Sequence, residues 1–171
     1  MNLDDLEVKI NKPYPKIVGA YDDKMTVGIL KNLATSRFGE LGGVLQYIYQ
    51  SVESDKSHEE IGQIFEEIAV VEMMHLDMLM HAITDFGGIP RYEDSQGNIF
   101  NTSMINYTQK LNEMLASNIA DEKRAIEDYK MAIMKVKNDS LKNLLKRILE
   151  DEERHLEIFT YLKNSVNFMS I

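Results

Sequence analysis

The chain has 171 residues, which fits one domain, and 44% of them are hydrophobic, which is enough to bury a core. Its formal net charge of −9 disfavours nucleic acid as a partner, because phosphate binding needs an excess of lysine and arginine. It contains no cysteine, so thiolate catalysis and iron–sulfur clusters are excluded, and any metal must be held by carboxylates and imidazoles.

The first predicted element is an extended arm over residues 1–21, followed by a bundle domain over residues 22–171. Pro13 and Pro15 keep the arm from being helical, because proline breaks helix interiors. The acidic start lacks the basic and then apolar layout of a signal peptide, and charges interrupt every apolar stretch before about 18 residues. We therefore expect a soluble, cytoplasmic protein that does not enter a membrane.

Four helices, which we name A to D, are predicted in the rest of the chain, over residues 24–52, 58–86, 107–136 and 141–163. The expected caps are Asp22 or Asp23 for helix A, Ser57 with Glu60 for helix B, and Asn138 for helix D. Gly87 and Gly88, with Pro90 just beyond, end helix B. The A–B and C–D links are short, but residues 88–106 form a long polar connection. This order predicts an all-α four-helix bundle with a B–C crossover.

An internal repeat relates the two halves of the bundle. Helices A and C each carry the pattern Glu-x6-Tyr, whereas helices B and D each carry Glu-x-x-His. The residues are Glu40 and Tyr47, Glu122 and Tyr129, Glu72 and His75, and Glu152 and His155. The i, i+3 spacing places the glutamate and the histidine of each pair on one helix face.

The four glutamates and two histidines of this repeat fall on the apolar faces of their helices. Burial of an isolated ionised glutamate costs several kcal/mol, and Arg37 is the only basic residue on these faces. Two divalent cations would balance four carboxylates, so we predict a two-metal site. The expected ligands are Glu40, Glu72, His75, Glu122, Glu152 and His155. Such an oxygen-rich set suits iron or manganese.

In this arrangement one metal takes His75 and the other takes His155, with Glu72 and Glu152 as bridges and Glu40 and Glu122 as terminal ligands. Within residues 150–153, only Glu152 is expected to face the interior.

Other residues permit two interpretations at this stage. Tyr47 and Tyr129 either pack in the core or donate hydrogen bonds to the metal ligands. The histidines His58 and His81 lie off the apolar faces and are expected at the surface. Helix A also contains three glycines, which are poor helix formers: Gly39, Gly42 and Gly43. They indicate either that helix A closely approaches a neighbour or the path by which metal enters, or that the helix is simply irregular.

Over roughly residues 24–163 the chain resembles the ferritin-like superfamily. The segments VEMMHLDMLMHAITDFGGIP and ILEDEERHLEIF resemble bacterioferritins, and GELGGVLQYIYQ and NIADEKRAIEDY resemble manganese catalases of the spore-coat type. Rubrerythrins share the six-ligand frame. The resemblance implies a ferritin-like four-helix bundle with a dinuclear site that reacts with dioxygen or peroxide.

The chain departs from these families at several points. Rubrerythrins add a glutamate three residues after the helix C ligand, where this chain has Ala125, and often carry a cysteine-rich iron domain. Cage-forming bacterioferritins have a fifth helix, for which only about eight residues follow helix D, so a storage cage is not expected. Met73 matches the haem-ligand position of bacterioferritins, but a buried core or dimer methionine is favoured over haem ligation.

The predicted function is that of a di-iron carboxylate oxidoreductase with ferroxidase or peroxide-scavenging activity. The cofactor would be two iron ions, with manganese as the alternative, and the substrate dioxygen or hydrogen peroxide. Manganese catalase activity and non-enzymatic iron binding or storage remain open alternatives. The chain is expected to form a homodimer or higher homo-oligomer, and its electron donor is unknown.

Overall fold

The computed structural model describes residues 6–54 and 58–169, with side chains up to residue 166. Its helices are α1 (Lys24–Thr35), α2 (Glu40–Ser54), α3 (Glu59–Asp85), α4 (Leu111–Lys135) and α5 (Asp139–Met169), with a 3₁₀ turn at Thr102–Met104. The described residues contain no strand, and an isolated bridge joins Glu93 to Ile99. Helix α2 packs mainly against α3, and α4 packs against α5. The predicted all-α bundle with a long crossover is confirmed.

Predicted helix A is not continuous, because residues 36–39 separate α1 from α2. Ser36 has an extended backbone, with ψ of 174°. At Gly39 any side chain would collide with the carbonyl oxygen of Leu33, so the tight turn between the two helices requires glycine. The break allows α2 to start at Glu40, which therefore lies in the first turn of that helix.

Several helix ends form as the sequence indicates. The Asp23 side chain accepts from the backbone N–H of Met25 at 3.0 Å and caps α1. The Asn138 side chain accepts from the N–H of Leu141 at 2.9 Å and caps α5. Gly87 has φ of +79° just beyond α3, a left-handed conformation that favours glycine. The predicted Ser57 cap lies outside the described residues.

The apolar core consists of two clusters at different levels along the bundle. On α3, Phe65 and Ile68 belong to one cluster, whereas Leu79 and Ile83 belong to the other. Helix α5 divides in the same way, with residues 141–148 in one cluster and residues 158–162 in the other. The Glu-x-x-His motifs lie between these segments on both helices. A polar layer therefore crosses the bundle between the two apolar clusters, which exclude water on both sides.

Residues 6–23 contain no helix and lie against the bundle. Leu6 is buried and packs in the cluster that contains Phe159, while Tyr14 packs against the other cluster. The boundary between an arm and a bundle domain near residue 21 stays a prediction. None of the described helices combines the length and the apolar character that a membrane span requires.

Candidate metal centre

All six predicted ligands converge in the polar layer between the two apolar clusters. Their ligand atoms form two groups, and within each group these atoms lie within 4.8 Å of one another. The first group is Glu40, Glu72, His75 and Glu152, and the second is Glu72, Glu122, Glu152 and His155. Glu72 and Glu152 belong to both groups, as bridging ligands would. Every one of the six side chains is buried.

The six side chains project from helices α2 to α5 at positions that bring them to the same level of the bundle. Glu40 projects from the first turn of α2, and Glu122 from the middle of α4. The Glu-x-x-His pairs on α3 and α5 supply the other four groups, each pair from adjacent positions on one face. Four helices therefore each contribute to one point of the bundle interior.

Gly43 allows α2 to come close to α3 at this level. A Cβ atom at Gly43 would lie 3.3 Å from Cγ of Glu72, which is tighter than ordinary van der Waals contact. The glycine therefore gives space to a side chain that belongs to both ligand groups. Of the interpretations open for this glycine, the structure favours a close approach to a neighbouring helix.

Several buried polar atoms of the cluster have no hydrogen-bond partner among the described residues. They are Oε2 of Glu40, Nδ1 of His75, Oε1 of Glu152, and both ring nitrogens of His155. Nδ1 of His75 lies 3.0 Å from Oε1 of Glu152, and Nδ1 of His155 lies 3.1 Å from Oε1 of Glu72. Buried polar groups are normally paired, so these convergent atoms fit a cation that would complete their coordination.

The charges in the cluster oppose one another strongly in the absence of cations. Burial, followed by repulsion from Glu72, raises the pKa of Glu40 well above its ordinary value. Burial, followed by repulsion from Glu152 and Glu72, does the same to the pKa of Glu122. Burial and the charges of Glu72 and Glu40 raise the pKa of Glu152 to about 8. In three of the four carboxyls, burial and repulsion therefore favour the protonated form, and a bound cation would favour the ionised form.

The pKa values of Glu72 and His75 shift in opposite directions, and each shift favours the charged form of its residue. Burial opposes ionisation of Glu72, but hydrogen bonding to Glu40 and the neighbouring His155 lower its pKa well below the ordinary value. Burial also opposes the charged form of His75, but Glu40, Asp151 and Glu152 raise the pKa of this imidazole well above the usual range. In the absence of cations, the charged forms of Glu72 and His75 therefore make an ion pair inside the site.

The two repeat tyrosines contact the glutamates of the opposite half. The Tyr47 hydroxyl on α2 donates to Oε1 of Glu122 at 2.5 Å, and the Tyr129 hydroxyl on α4 donates to Oε1 of Glu40. Both rings are also buried in the apolar clusters. Core packing and hydrogen bonding to the cluster therefore coexist in the same side chains.

The expectation that only Glu152 within residues 150–153 faces the interior is wrong, because Asp151 is buried as well. Its side chain is 0% exposed, and its Oδ2 lies 3.1 Å from Nε2 of His75. Asp151 also accepts from the Tyr14 hydroxyl at 2.6 Å. A signal was present in the sequence, because Leu144, Ile148, Asp151 and His155 follow one helical face at spacings of four, three and four.

The expectation that Arg37 is the only basic residue on the ligand-bearing faces is wrong, because Arg147 on α5 also lies beside the site. It is buried, and its Nη1 lies 2.8 Å from Oδ2 of Asp151. Arg37 instead lies in the break between α1 and α2, where it lines a cavity beside the ligand cluster. The buried arginine neutralises Asp151, a carboxylate outside the predicted ligand set.

The remaining sequence candidates lie at the surface. His58 and His81 are exposed, as expected. Met73 is 53% exposed, so the prediction of a buried core methionine is wrong for the single chain. A contact of Met73 with a second chain, or with haem, stays a prediction.

A small cavity of about 30 Å³ adjoins the ligand cluster. Its lining includes Gly43, Gln46, Asp121 and Ala125 together with all four ligand glutamates. The Gln46 amide donates to Oδ2 of Asp121 at 2.9 Å and to Asn118 at 3.1 Å, which fixes the rim. A space of this size holds about one water-sized molecule. Sequence reasoning did not identify this amide network.

The helical architecture and the paired carboxylate–histidine groups define the ferritin-like class of di-metal carboxylate proteins. Within that class, residues 31–163 match the rubrerythrin family, and the chain belongs to this family.

Relatives of known identity agree with this class. A bacterioferritin of Brucella melitensis biotype 1 is 27% identical over 133 residues, which cover 75% of this chain and 78% of that protein. The manganese catalase KatB from Anabaena PCC7120 superposes with a TM-score of 0.83 at 23% identity, covering 92% of this chain and 80% of KatB. The Desulfovibrio desulfuricans bacterioferritin, described with a diiron site, gives a TM-score of 0.72 at 22% identity, covering 84% and 80%.

Proposed function

We propose that the chain is a di-iron carboxylate oxidoreductase that acts on dioxygen or hydrogen peroxide. The observation that carries the proposal is the pair of ligand groups that share Glu72 and Glu152. In this proposal His75 and Glu40 complete one metal position, and His155 and Glu122 complete the other. The mixture of carboxylate oxygens with one imidazole nitrogen per position suits iron.

Residues around the ligand glutamates would restrain these side chains and would control which molecules reach the metals. The Tyr47 and Tyr129 hydroxyls restrain Glu122 and Glu40, the two terminal ligands in the proposal. The cavity beside the cluster holds about one water-sized molecule, so it would limit access to very small substrates, a class that includes dioxygen and hydrogen peroxide. The apolar clusters on both sides keep bulk water away, which strengthens electrostatic interactions inside the site.

Two bound ferrous ions would supply one electron each, and reduction of one hydrogen peroxide to two waters requires those two electrons and two protons. Binding of the cations would displace the protons of Glu152 and Glu122, so the two protons consumed would come from water that reaches the site. The electrons for a second turnover would come from a donor outside these 171 residues, which contain no cysteine to bind a relay iron.

A second candidate is a manganese catalase that dismutates hydrogen peroxide at the same ligands. The absence of cysteine favours it, because dismutation needs no external electron donor. Non-enzymatic iron storage is the third candidate and would require far more iron than a dinuclear site holds.

Metal analysis and peroxide assays test these candidates together. Protein purified from its own host should contain two iron ions per chain by elemental analysis, and manganese in their place would favour the catalase. Anaerobic ferrous protein should consume hydrogen peroxide with one equivalent per pair of iron ions and release no oxygen. Oxygen release without a reductant would instead identify the catalase, and iron bound far beyond two ions per chain would support storage. Protein that binds neither metal pair would contradict the proposal.

We further propose that the chain is a homodimer or a higher homo-oligomer. Helices α2 and α3 expose apolar side chains, among them Ile48, Val52, Val70 and Met73. Exposed apolar groups on neighbouring helices are typical of protein contacts. Light scattering on purified protein should give at least twice the mass of 19.7 kDa, and a monomer would contradict the proposal.

A further inference from the structure

The N-terminal arm contacts the metal centre from outside the four helices. The hydroxyl of Tyr14 donates to Oδ2 of Asp151 at 2.6 Å and lies 3.3 Å from Nε2 of His75. The two rings also meet edge to face, with centroids 5.9 Å apart. A residue 61 positions away along the chain therefore lies next to one imidazole of the ligand cluster.

Asp151 is the group through which the arm and the imidazole are connected. Its Oδ1 accepts from the backbone N–H of Ile10 at 2.7 Å. Its Oδ2 faces the Tyr14 hydroxyl, Nε2 of His75 and, at 2.8 Å, Nη1 of Arg147. Two of these four partners come from the arm, so undocking the arm would leave a buried carboxylate with half of its partners.

Arg147 holds the same stretch of the arm from the side of α5. Its Nε donates to the carbonyl oxygen of Lys12 at 3.1 Å, and its Nη2 donates to that of Ile10. Its guanidinium carbon lies 4.5 Å from the centroid of the Tyr14 ring, within cation–π distance. The arm therefore supplies two carbonyl acceptors to Arg147 and two donors to Asp151.

The consequence for His75 is a fixed orientation. Because the Asp151 carboxylate can only accept, a neutral His75 ring that binds metal would keep its proton on Nε2 and present an unprotonated Nδ1, which lies 3.0 Å from Oε1 of Glu152. A second group that fixes the tautomer and orientation of a metal-binding histidine raises the affinity of the site. His155 differs, because neither of its ring nitrogens has a hydrogen-bond partner among the described residues.

We propose that the N-terminal arm is a positioning element for the metal at the His75 side, and that Tyr14 is the residue through which it acts. The two metals then bind with unequal affinity, tighter at His75 than at His155. By linkage, metal at the His75 position also strengthens docking of the arm. This inference rests on the proposed two-metal site.

Anaerobic calorimetric titration of the full-length, metal-free chain with ferrous ion tests the inference. Wild type should bind two ions in unequal steps, and His75→Gln should remove the tighter step while His155→Gln removes the weaker one. Tyr14→Phe, which keeps the ring but loses the hydroxyl, should weaken the tighter step roughly tenfold and leave the weaker step unchanged. The matched control is Tyr21→Phe, an exposed tyrosine of the same segment, which should leave both steps unchanged.

Proteolysis of the arm gives a readout that is independent of activity and of the variants' affinities. Trypsin should cut after the exposed residues Lys9 and Lys16 several-fold more slowly in metal-loaded wild type than in metal-free wild type. This protection should shrink in Tyr14→Phe and persist in Tyr21→Phe. Two metals bound equally well by wild type and Tyr14→Phe, with cleavage independent of metal, would overturn this inference alone. Failure of wild type to bind a pair of metals would overturn the proposed function as well.

Discussion

The His75 side and the His155 side of the metal centre carry equivalent ligands in different surroundings. His75 lies against Asp151 and Tyr14, whereas both ring nitrogens of His155 have no hydrogen-bond partner among the described residues. By the internal repeat, the position equivalent to Asp151 is Val71, and the position equivalent to the buried Arg147 is the exposed Glu67. The ligand frame is thus duplicated, but the support of each imidazole is not.

The difference shows that two requirements act separately on this site. Ligand spacing must repeat, because each proposed metal needs the same Glu-x-x-His geometry. In the proposed site the polar groups behind each histidine can differ, because they would tune a ligand and would not themselves bind metal.

The largest effect is expected at a residue that both sides share. Glu72→Ala should remove both metals, because Glu72 belongs to both ligand groups, whereas Glu122→Ala should weaken mainly the His155 side. Elemental analysis after desalting measures the metal retained per chain. Glu66→Ala, an exposed residue on the same helix, is the control and should retain both metals. One tightly held metal in Glu72→Ala would show that Glu72 is a terminal ligand.

A change at Asp151 should affect one side only. Asp151→Asn removes the charge that faces Nε2 of His75 and Arg147. The metal on that side should then bind about 10–100-fold more weakly, which is the usual effect of losing a group that hydrogen-bonds to a metal-binding histidine. Titration with ferrous ion resolves the two steps, and Glu153→Gln, at an exposed neighbouring position, is the control. Equal weakening of both steps would indicate a general loss of folding and not a local effect.

Metal removal should destabilise the whole bundle. Ligand binding at about a thousand times the dissociation constant adds about 4 kcal/mol to stability, which corresponds to a rise in Tm of about 10 °C for a chain of this size. Differential scanning calorimetry with and without a chelator measures the difference. Identical melting temperatures would mean that the carboxylates do not need cations.

The metal-free protein should lose stability as the pH rises from 4.5 to about 8. Glu152, with its pKa raised from 4.5 to about 8, contributes stability that is complete below 4.5 and is lost as the pH approaches 8. The raised pKa of His75 acts in the same direction, because its contribution is complete below 6.5 and is lost above it. Urea unfolding of metal-free protein from pH 6 to pH 8.5 measures the slope. A stability that rises with pH over this range would contradict these shifts.

The smallest effect is expected at the close approach of α2 to α3. In Gly43→Ala the new Cβ would lie 3.3 Å from Cγ of Glu72, so this carboxylate should shift by a few tenths of an ångström. Both metals should stay bound, while peroxide turnover should fall a few-fold. Gly28→Ala, whose Cβ would meet Ser95 at an ordinary 3.5 Å, is the control and should keep full activity. Unchanged turnover in Gly43→Ala would mean that the position of Glu72 is adaptable.

The helices and the convergence of six polar residues were predictable, because both depend on short-range spacing along helices. The break at Gly39 was not predicted, since it depends on the approach of the Leu33 carbonyl. The burial of Asp151 could have been read from its helical face, but its bond to Tyr14 could not, because the two residues lie 137 positions apart and no local pattern shows that an arm will cover α5 there. Contacts of this kind are tertiary, so they follow from the packed bundle and not from periodicity.

The crossed bonds from Tyr47 to Glu122 and from Tyr129 to Glu40 have a consequence for the origin of the site. Because each bond has its mirror in the other half, two identical hairpins could assemble the same frame as separate polypeptides. The bond from Tyr14 to Asp151 has no mirror in the repeat, since Val71 stands at the equivalent position. A frame built from two identical hairpins would therefore contain both tyrosine–glutamate bonds but not the support behind His75.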